Sequence, residues 1–264
     1  MARVTRIASG KKVPAAAVRA GGKRMPSFAP FFCGVCAFVL LLPFAGGAGR
    51  AAPSGPASET WIFDRIDRIG GHPTTVLGHP RVIDSPVGKA VEFNGVDDAL
   101  FIGVHPLAGA ETFTWEAIFR PDGGAREQRW FHLQESGSDN RMLFEIRVTP
   151  EGQWFLDSFN QTGAASKALI NRNALHPTGA WYHVAAVYDG REFRNYVNGI
   201  QEGAAEIHLA PQGPGQTSVG VRINKVNYFK GAVHLARFTR RALTPAEFLK
   251  LPPGAASGTG NGSR

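Results

Sequence analysis

The sequence WYHVAAVYDGREFRNYVNG, residues 181–199, contains two dipeptides that favour tight β-turns, one on each side of an apolar run. Asp189-Gly190 precedes the run from Phe193 to Val197, and Asn198-Gly199 follows it. Such dipeptides adopt the positive φ angles of two-residue hairpin turns. A strand with a hairpin turn at each end pairs with the strand before it and with the strand after it. The segment therefore predicts a three-stranded antiparallel meander.

Similar short runs, rich in Val, Ile, Phe, Tyr and Trp and separated by Gly, Pro, Asn and Asp, recur on both sides of this meander. They cover residues 90–93, 100–104, 113–120, 130–134, 143–148, 153–159, 217–223 and 231–238. Roughly ten antiparallel strands without a helical layer must bury their apolar faces against one another, so the predicted fold class is an all-β, two-sheet antiparallel sandwich. The run Thr244-Pro245-Ala246-Glu247 is typical of a helix start and predicts a short C-terminal helix from Pro245 to about Leu251.

Several of these segments, taken in order, resemble the laminin-G-like domains of the concanavalin A-like lectin/glucanase superfamily. The resemblance covers roughly residues 59–250 and implies a jelly roll of two antiparallel sheets, one of them concave. Most of the matching residues are interpreted as structural: Trp181, Val184, Val187 and Tyr188 as core residues, and Asp189, Gly190, Asn198 and Gly199 as turn residues. The matching segments are GKAVEFNGVDD (88–98), FTWEAIFRP (113–121), WYHVAAVYDG (181–190), YVNG (196–199), FKGAV (229–233) and RALTPAE (241–247).

The positive charge of the chain is concentrated at its N-terminus. The chain has 29 Lys and Arg against 21 Asp and Glu, a formal charge of +8. Residues 1–52 contain eight basic residues and no acidic one, so the 21 basic residues that remain balance the 21 acidic ones. The rest of the chain therefore shows no excess of positive charge for a nucleic-acid partner.

The same N-terminal region predicts export from the cytoplasm. Basic residues precede an apolar run at residues 31–45, and small residues follow at 46–49 and 51–52. This order is typical of a secretory signal peptide, and the run is short for a membrane span. Residues 1–52 are therefore interpreted as a leader, either cleaved or kept as an N-terminal anchor, with Met1 or Met25 as the start. We expect a secreted, periplasmic or cell-surface protein with no membrane contact beyond the leader.

Residues 53–58 are predicted to be a linker, residues 59–251 the jelly roll, and residues 252–264 a disordered tail. The only cysteines, Cys33 and Cys36, fall in the leader, and the histidine spacing does not suggest a zinc site. No cofactor is expected. Asp97 and Asp98 are interpreted either as ligands of a structural calcium ion, as in some relatives, or as a solvated turn.

A candidate binding surface follows from the alternation of side chains along three strands of the central region. If these strands are neighbours, their polar and aromatic residues share one face of a sheet. The predicted ligand-binding residues are Trp130, His132, Gln134, Glu145, Arg147 and Asp157. The alternative interpretation is a solvated outer face whose charges pair across strands.

The sequence favours a non-catalytic module that binds carbohydrate or another extracellular ligand, because sugars are held by aromatic rings beside bidentate polar groups. A structural or protein-adhesion domain of the cell surface is a second hypothesis. A third is a jelly-roll lyase acting on uronates, which the residues around Arg129, His132 and Tyr228 resemble superficially. No strand carries the Glu-x-Asp-x-x-Glu pattern of the glucanases, which disfavours glycoside hydrolysis.

Overall fold

The computed structural model describes residues 57–255, which form 17 β-strands and one 3₁₀ turn. The leader predicted at residues 1–52 lies outside the described residues, as do most of the predicted linker and most of the predicted tail. In chain order the strands are β1 (Ser58–Ile62), β2 (Arg68–Ile69), β3 (His72–Leu77), β4 (Arg81–Ile83), β5 (Ala90–Asn94), β6 (Ala99–Ile102), β7 (Phe113–Pro121), β8 (Glu127–Glu135), β9 (Arg141–Val148), β10 (Gln153–Thr162), β11 (Ala165–Ile170), β12 (His176–Pro177), β13 (Tyr182–Tyr188), β14 (Glu192–Val197), β15 (Ile200–Glu206), β16 (Gly215–Val219) and β17 (Lys230–Thr239).

The strands form two antiparallel sheets. Sheet I has the order β15-β14-β13-β7-β17-β5-β4, and β1 pairs with the C-terminal half of β17. Sheet II has the order β11-β10-β9-β8-β16-β6-β3-β2, and β12 pairs with β10. Sequential strands often lie in different sheets, which is the connectivity of a jelly roll. The predicted two-sheet sandwich is confirmed.

The predicted meander is β13-β14-β15 of sheet I. Tyr188 pairs with Phe193 across the first turn, and Val197 pairs with Ile200 across the second. Asn198 and Gly199 both have positive φ angles, as the hairpin turn requires.

The core lies between the sheets and is rich in aromatic rings. Along β9, Met142, Phe144, Ile146 and Val148 point into the core as the alternation predicts. The Trp115 ring of sheet I lies 4.1 Å from the Phe144 ring of sheet II. Contacts of this kind join the two sheets across the whole sandwich.

The outer face of sheet I is covered by the C-terminal segment, residues 243–255, which we call the strap. Leu243 and Phe248 pack against Ala185, Val187 and Tyr196, whose side chains point away from the main core. Farther along the strap, residues 249, 251 and 255 pack against a second outer cluster that includes Trp181. This cover explains why β13 is apolar on both of its faces.

The strap begins with the predicted helix start, but the helix is shorter than predicted. The Thr244 N–H donates to Glu247 Oε2 at 2.9 Å, which is the expected capping contact. The turn is of the 3₁₀ type and covers only Pro245–Glu247, because Phe248 returns to an extended conformation and places its ring against sheet I.

Described structure extends slightly beyond the predicted 59–251 domain at both ends. Ser58 is the first residue of β1, and Ala255 is buried against sheet I. Within residues 57–255 no helix is long and apolar enough to cross a membrane.

Candidate functional site

An open groove of about 200 Å³ lies on the outer face of sheet II. Strands β8, β9, β10 and β11 are neighbours there, so their outward side chains form adjacent rows. A loop between β16 and β17 adds a side chain from a distant part of the sequence. The lining residues are Arg129, Arg141, Leu143, Glu145, Arg147, Asp157, Phe159, Ala168, Ile170 and Arg222.

A network of ion pairs forms the floor of the groove. Arg129 Nε lies 3.1 Å from Glu145 Oε1, and Arg147 Nη2 lies 3.1 Å from Glu145 Oε2 and 2.7 Å from Asp157 Oδ2. Both carboxylates are almost fully buried. The structure therefore brings together three of the predicted residues, Glu145, Arg147 and Asp157, and adds Arg129 to them.

The network leaves several polar atoms without a hydrogen-bond partner among the described residues. Arg147 Nη1 and Asp157 Oδ1 are buried and accept or donate no hydrogen bond, although Nη1 lies 4.0 Å from Glu127 Oε2. The Nε atoms of Arg141 and Arg222 are in the same state. Buried polar groups normally have hydrogen-bond partners, so these four atoms are unsatisfied groups on residues that line the groove. The guanidinium of Arg141 lies 4.8 Å from the centre of the Phe159 ring, which places an aromatic surface beside the charges.

The electrostatic environment of Asp157 is unusual for a carboxylate. Burial and the neighbouring charge of Glu145 raise the pKa of Asp157 to about 6, although Arg147 and Arg129 oppose this change. Asp157 therefore changes its charge near pH 6.

The predicted position of Trp130 on this surface is wrong. Trp130 is fully buried, and its ring stacks on Phe119 with 4.2 Å between centroids and 2° between planes. A β-bulge in β8 between Arg129 and Phe131 inserts one extra residue, so Trp130 and Phe131 both point into the core. The strict alternation used in the prediction fails at this bulge.

The bulge also explains why Arg129 reaches the groove. Before the bulge Arg129 pairs with Glu145 across the strands, and after it His132 pairs with Leu143 on the same outward face. The backbone N–H of Arg129 and its guanidinium both donate to Asn227, which holds the loop between β16 and β17 against β8.

Gln134 and His132 lie on the outward face but are not part of the groove lining. Gln134 Nε2 donates to the Ser138 carbonyl at 2.8 Å. His132 is 1% exposed, and its Nδ1 accepts from the Ile223 backbone N–H at 3.1 Å. Burial, together with Arg222, Arg141 and Arg129, lowers the pKa of His132 to about 3. The imidazole is therefore neutral with its proton on Nε2, and at this position the structure offers the lyase hypothesis no accessible base.

The buried neutral state of His132 predicts a pH-dependent effect of its replacement. The folded pKa lies below the unfolded value of 6.5, so stability from His132 is present above about pH 6.5 and is lost as pH falls. His132→Asn keeps an acceptor for Ile223 but has no group that must take up a proton. We expect the free energy of unfolding of this variant, relative to that of wild type, to rise by about 2–3 kcal/mol when the pH is lowered from about 8 to about 4.5.

Denaturant titrations of both proteins at the two pH values measure this difference. Asp157 contributes to the pH dependence of stability with the opposite sign, because its folded pKa is raised. This contribution is the same in both proteins, so it cancels in the difference between them. A stability difference that does not change with pH would contradict the prediction.

Three further groove residues, Arg141, Arg222 and Phe159, were not among the predicted site residues. Arg141 and Phe159 follow the alternation of β9 and β10 and face outward with Glu145 and Asp157. A count of every outward residue on these strands would have included them. Arg222 falls within the predicted run 217–223, but β16 ends at Val219, so Arg222 lies in the loop that follows and reaches the groove from there.

The predicted calcium ligands hold backbone instead. Asp98 is buried, and its two carboxylate oxygens accept the backbone N–H groups of His79 and Asn94. Asp97 accepts from the Asn94 side chain at 2.7 Å. The described residues contain no cluster of three or more acidic, His or Cys side chains that suits a metal ion. The oxygens of Asp97 and Asp98 therefore accept hydrogen bonds from the protein itself, and a calcium ion at this turn stays one of the two alternatives given by the sequence.

The two-sheet sandwich with a polar groove on one outer face defines the class as a jelly-roll domain. A family model of the concanavalin A-like lectin/glucanases superfamily matches residues 94–248. The chain belongs to this superfamily. No curated protein matches its sequence.

Solved structures share the fold at low sequence identity. Domain 4 of AbnA, an extracellular arabinanase from Geobacillus stearothermophilus solved with arabinotriose, is 18% identical with a TM-score of 0.48, and the match covers 72% of this chain and 94% of that domain. The binding domain of Paraclostridial Mosquitocidal Protein 1 is 13% identical with a TM-score of 0.51, covering 72% of this chain and 50% of that one. A mutant NanB sialidase from Streptococcus pneumoniae is 15% identical with a TM-score of 0.50, and the match covers 66% of this chain and 28% of the sialidase. The chain thus spans half or less of the last two proteins.

Proposed function

We propose that this protein is a secreted, non-catalytic module that binds carbohydrate in the groove on sheet II. The observation that carries the proposal is the set of buried, unpartnered polar atoms on Arg141, Arg147, Asp157 and Arg222, all of which line one groove. Sugar hydroxyls both donate and accept hydrogen bonds, so guanidinium donors and a carboxylate acceptor suit them. Membership of the lectin/glucanases superfamily agrees with this function.

The apolar part of the groove supports the same conclusion. Phe159, Leu143 and Ile170 provide a surface against which the C–H face of a sugar ring can pack. Small-molecule sites commonly combine such a surface with a few convergent polar groups. The leader predicted at residues 1–52 supports export to a compartment where polysaccharides occur.

Arg222→Ala is the sharpest test of this proposal. No ion pair of Arg222 occurs among the described residues, so its removal breaks no part of the Glu145–Arg147–Asp157 network. A glycan array with the intact protein identifies the saccharides that bind, and calorimetry then measures their affinities. We expect Arg222→Ala to weaken binding about tenfold or more, the usual effect of losing a hydrogen bond to a charged group.

The matched control is Arg191→Ala, which removes the same charge from the turn between β13 and β14, where the Arg191 side chain is 80% exposed and, among the described residues, contacts only Glu206 in an ion pair. This variant should bind as tightly as wild type. Absence of binding to any glycan, or equal affinities for wild type and Arg222→Ala, would reject the groove as the site. Retention of a protein partner without glycan binding would favour the adhesion hypothesis.

A further inference from the structure

The groove carries an excess of positive charge that the network within it does not neutralise. Four guanidinium groups and two carboxylates line it, a net charge of +2 when Asp157 is ionised. Arg129 forms an ion pair with Glu145, and Arg147 forms one with Asp157. Within residues 57–255 neither Arg141 nor Arg222 has a carboxylate in ion-pair contact.

These two arginines are close enough to repel each other. Burial, followed by the positive charge of Arg222, lowers the pKa of Arg141, although Asp139 and Glu145 oppose this change. Two partly buried like charges raise the free energy of the empty groove, and an anion placed between them removes that cost. Guanidinium groups also match the planar oxygens of carboxylates and sulfates in bidentate geometry.

We propose that the groove binds the anionic group of an acidic saccharide at Arg141 and Arg222, and that Asp157 takes up a proton when it does so. This inference rests on the proposed function and names its ligand class. Asp157 lines the same groove, is 3% exposed and has an unpartnered Oδ1. A bound anion adds a negative charge close to this carboxylate and favours its protonated form, whose hydroxyl can donate a hydrogen bond to the ligand.

The groups around Asp157 allow this protonation without breaking the network. Its partner Arg147 also contacts Glu145, so the guanidinium stays paired when Asp157 is neutral. Strand β11 contributes only apolar side chains to this side of the groove. The charged groups around Asp157 are Glu127 and Arg129 from β8, Arg141, Glu145 and Arg147 from β9, Arg222 from the loop between β16 and β17, and Arg172, which follows β11 and lies 5.9 Å from the neighbouring Phe155 ring.

The test uses the intact protein and three matched probes: an oligogalacturonate, its neutral methyl ester, and a sulfated neutral oligosaccharide of similar length. Calorimetry gives each affinity at about pH 5 and about pH 8, where a sugar carboxylate stays ionised. We expect the oligogalacturonate to bind about tenfold more tightly at the lower pH, which corresponds to a rise of one unit in the pKa of Asp157 on binding. We expect the methyl ester to bind more weakly, with no dependence on pH.

Asp157→Asn tests whether protonation of Asp157 causes the pH dependence of binding. This variant imitates the protonated carboxyl, so it should bind oligogalacturonate tightly at both pH values. Arg222→Ala should lose the preference for the acid over the ester, whereas Arg191→Ala should keep it. Circular dichroism at the lower pH checks that every variant is folded.

The outcomes separate the two proposals. Equal affinity for acid and ester, with loss in Arg222→Ala, would overturn this inference and leave the carbohydrate site intact. A pH dependence that persists in Asp157→Asn would overturn the role of Asp157. Binding of the sulfated probe with the same pH dependence would support the anion site and identify sulfate as an accepted group. Failure of these three probes, with binding of another glycan on the array, would overturn this inference alone, whereas failure of every glycan on the array would overturn the proposed function itself.

Discussion

Trp130→Ala is expected to lower the free energy of unfolding by about 3–5 kcal/mol, the range for removing a large buried aromatic side chain. Trp130 is fully buried, stacks on Phe119 from the opposite sheet and lies 5.5 Å from the Phe144 ring. Its removal leaves a cavity at the centre of the aromatic core, which the neighbouring β-strands cannot fill without moving.

Urea denaturation of wild type and variant measures this loss. Trp130→Phe is the matched variant, because it keeps a ring against Phe119 and should recover a large part of the stability. A Trp130→Ala protein with unchanged stability but weaker saccharide binding would contradict the buried position of Trp130. It would support the original prediction that Trp130 belongs to the binding surface.

Glu116→Ala is expected to destabilise the protein by a similar amount, about 3–5 kcal/mol, because it leaves buried donors without their acceptor. The Glu116 side chain is fully buried beneath the strap. Its Oε1 accepts from His183 Nε2 at 3.0 Å and from the Leu249 backbone N–H at 2.8 Å. Its Oε2 accepts from Arg237 Nε at 2.6 Å. One carboxylate therefore joins three strands of sheet I to the strap.

This loss has a local signature as well as a global one. Without Glu116 the strap loses its contact at Leu249, so trypsin should cleave after Lys250 much faster than in wild type. Limited proteolysis with mass spectrometry detects the cleavage, and thermal denaturation measures the global effect. The control is Glu206→Ala, which breaks an exposed ion pair with Arg191 and should cost about 0–1 kcal/mol. Equal stability of Glu116→Ala and Glu206→Ala would show that the strap is not held by this carboxylate.

The candidate groove illustrates how far local pattern reaches. Glu145 and Arg147 alternate with Phe144 and Ile146, so their outward direction followed from the sequence, and the pairing of β9 with β10 brought Asp157 beside them. The same reasoning failed at Trp130, because a bulge changes the direction of every side chain on one side of it and the sequence of β8 does not indicate where the bulge lies.

The meander and the all-β fold class could be predicted from the sequence because turn dipeptides and the alternation of apolar and polar residues act over a few residues. Backbone sterics at Asn198 and Gly199 and the period of a strand require no knowledge of distant contacts. Arg222 in the groove and Glu116 beneath the strap depend instead on segments far apart in sequence. Only packing of the two sheets brings those segments together, because burial and charge pairing act between side chains that are neighbours in space.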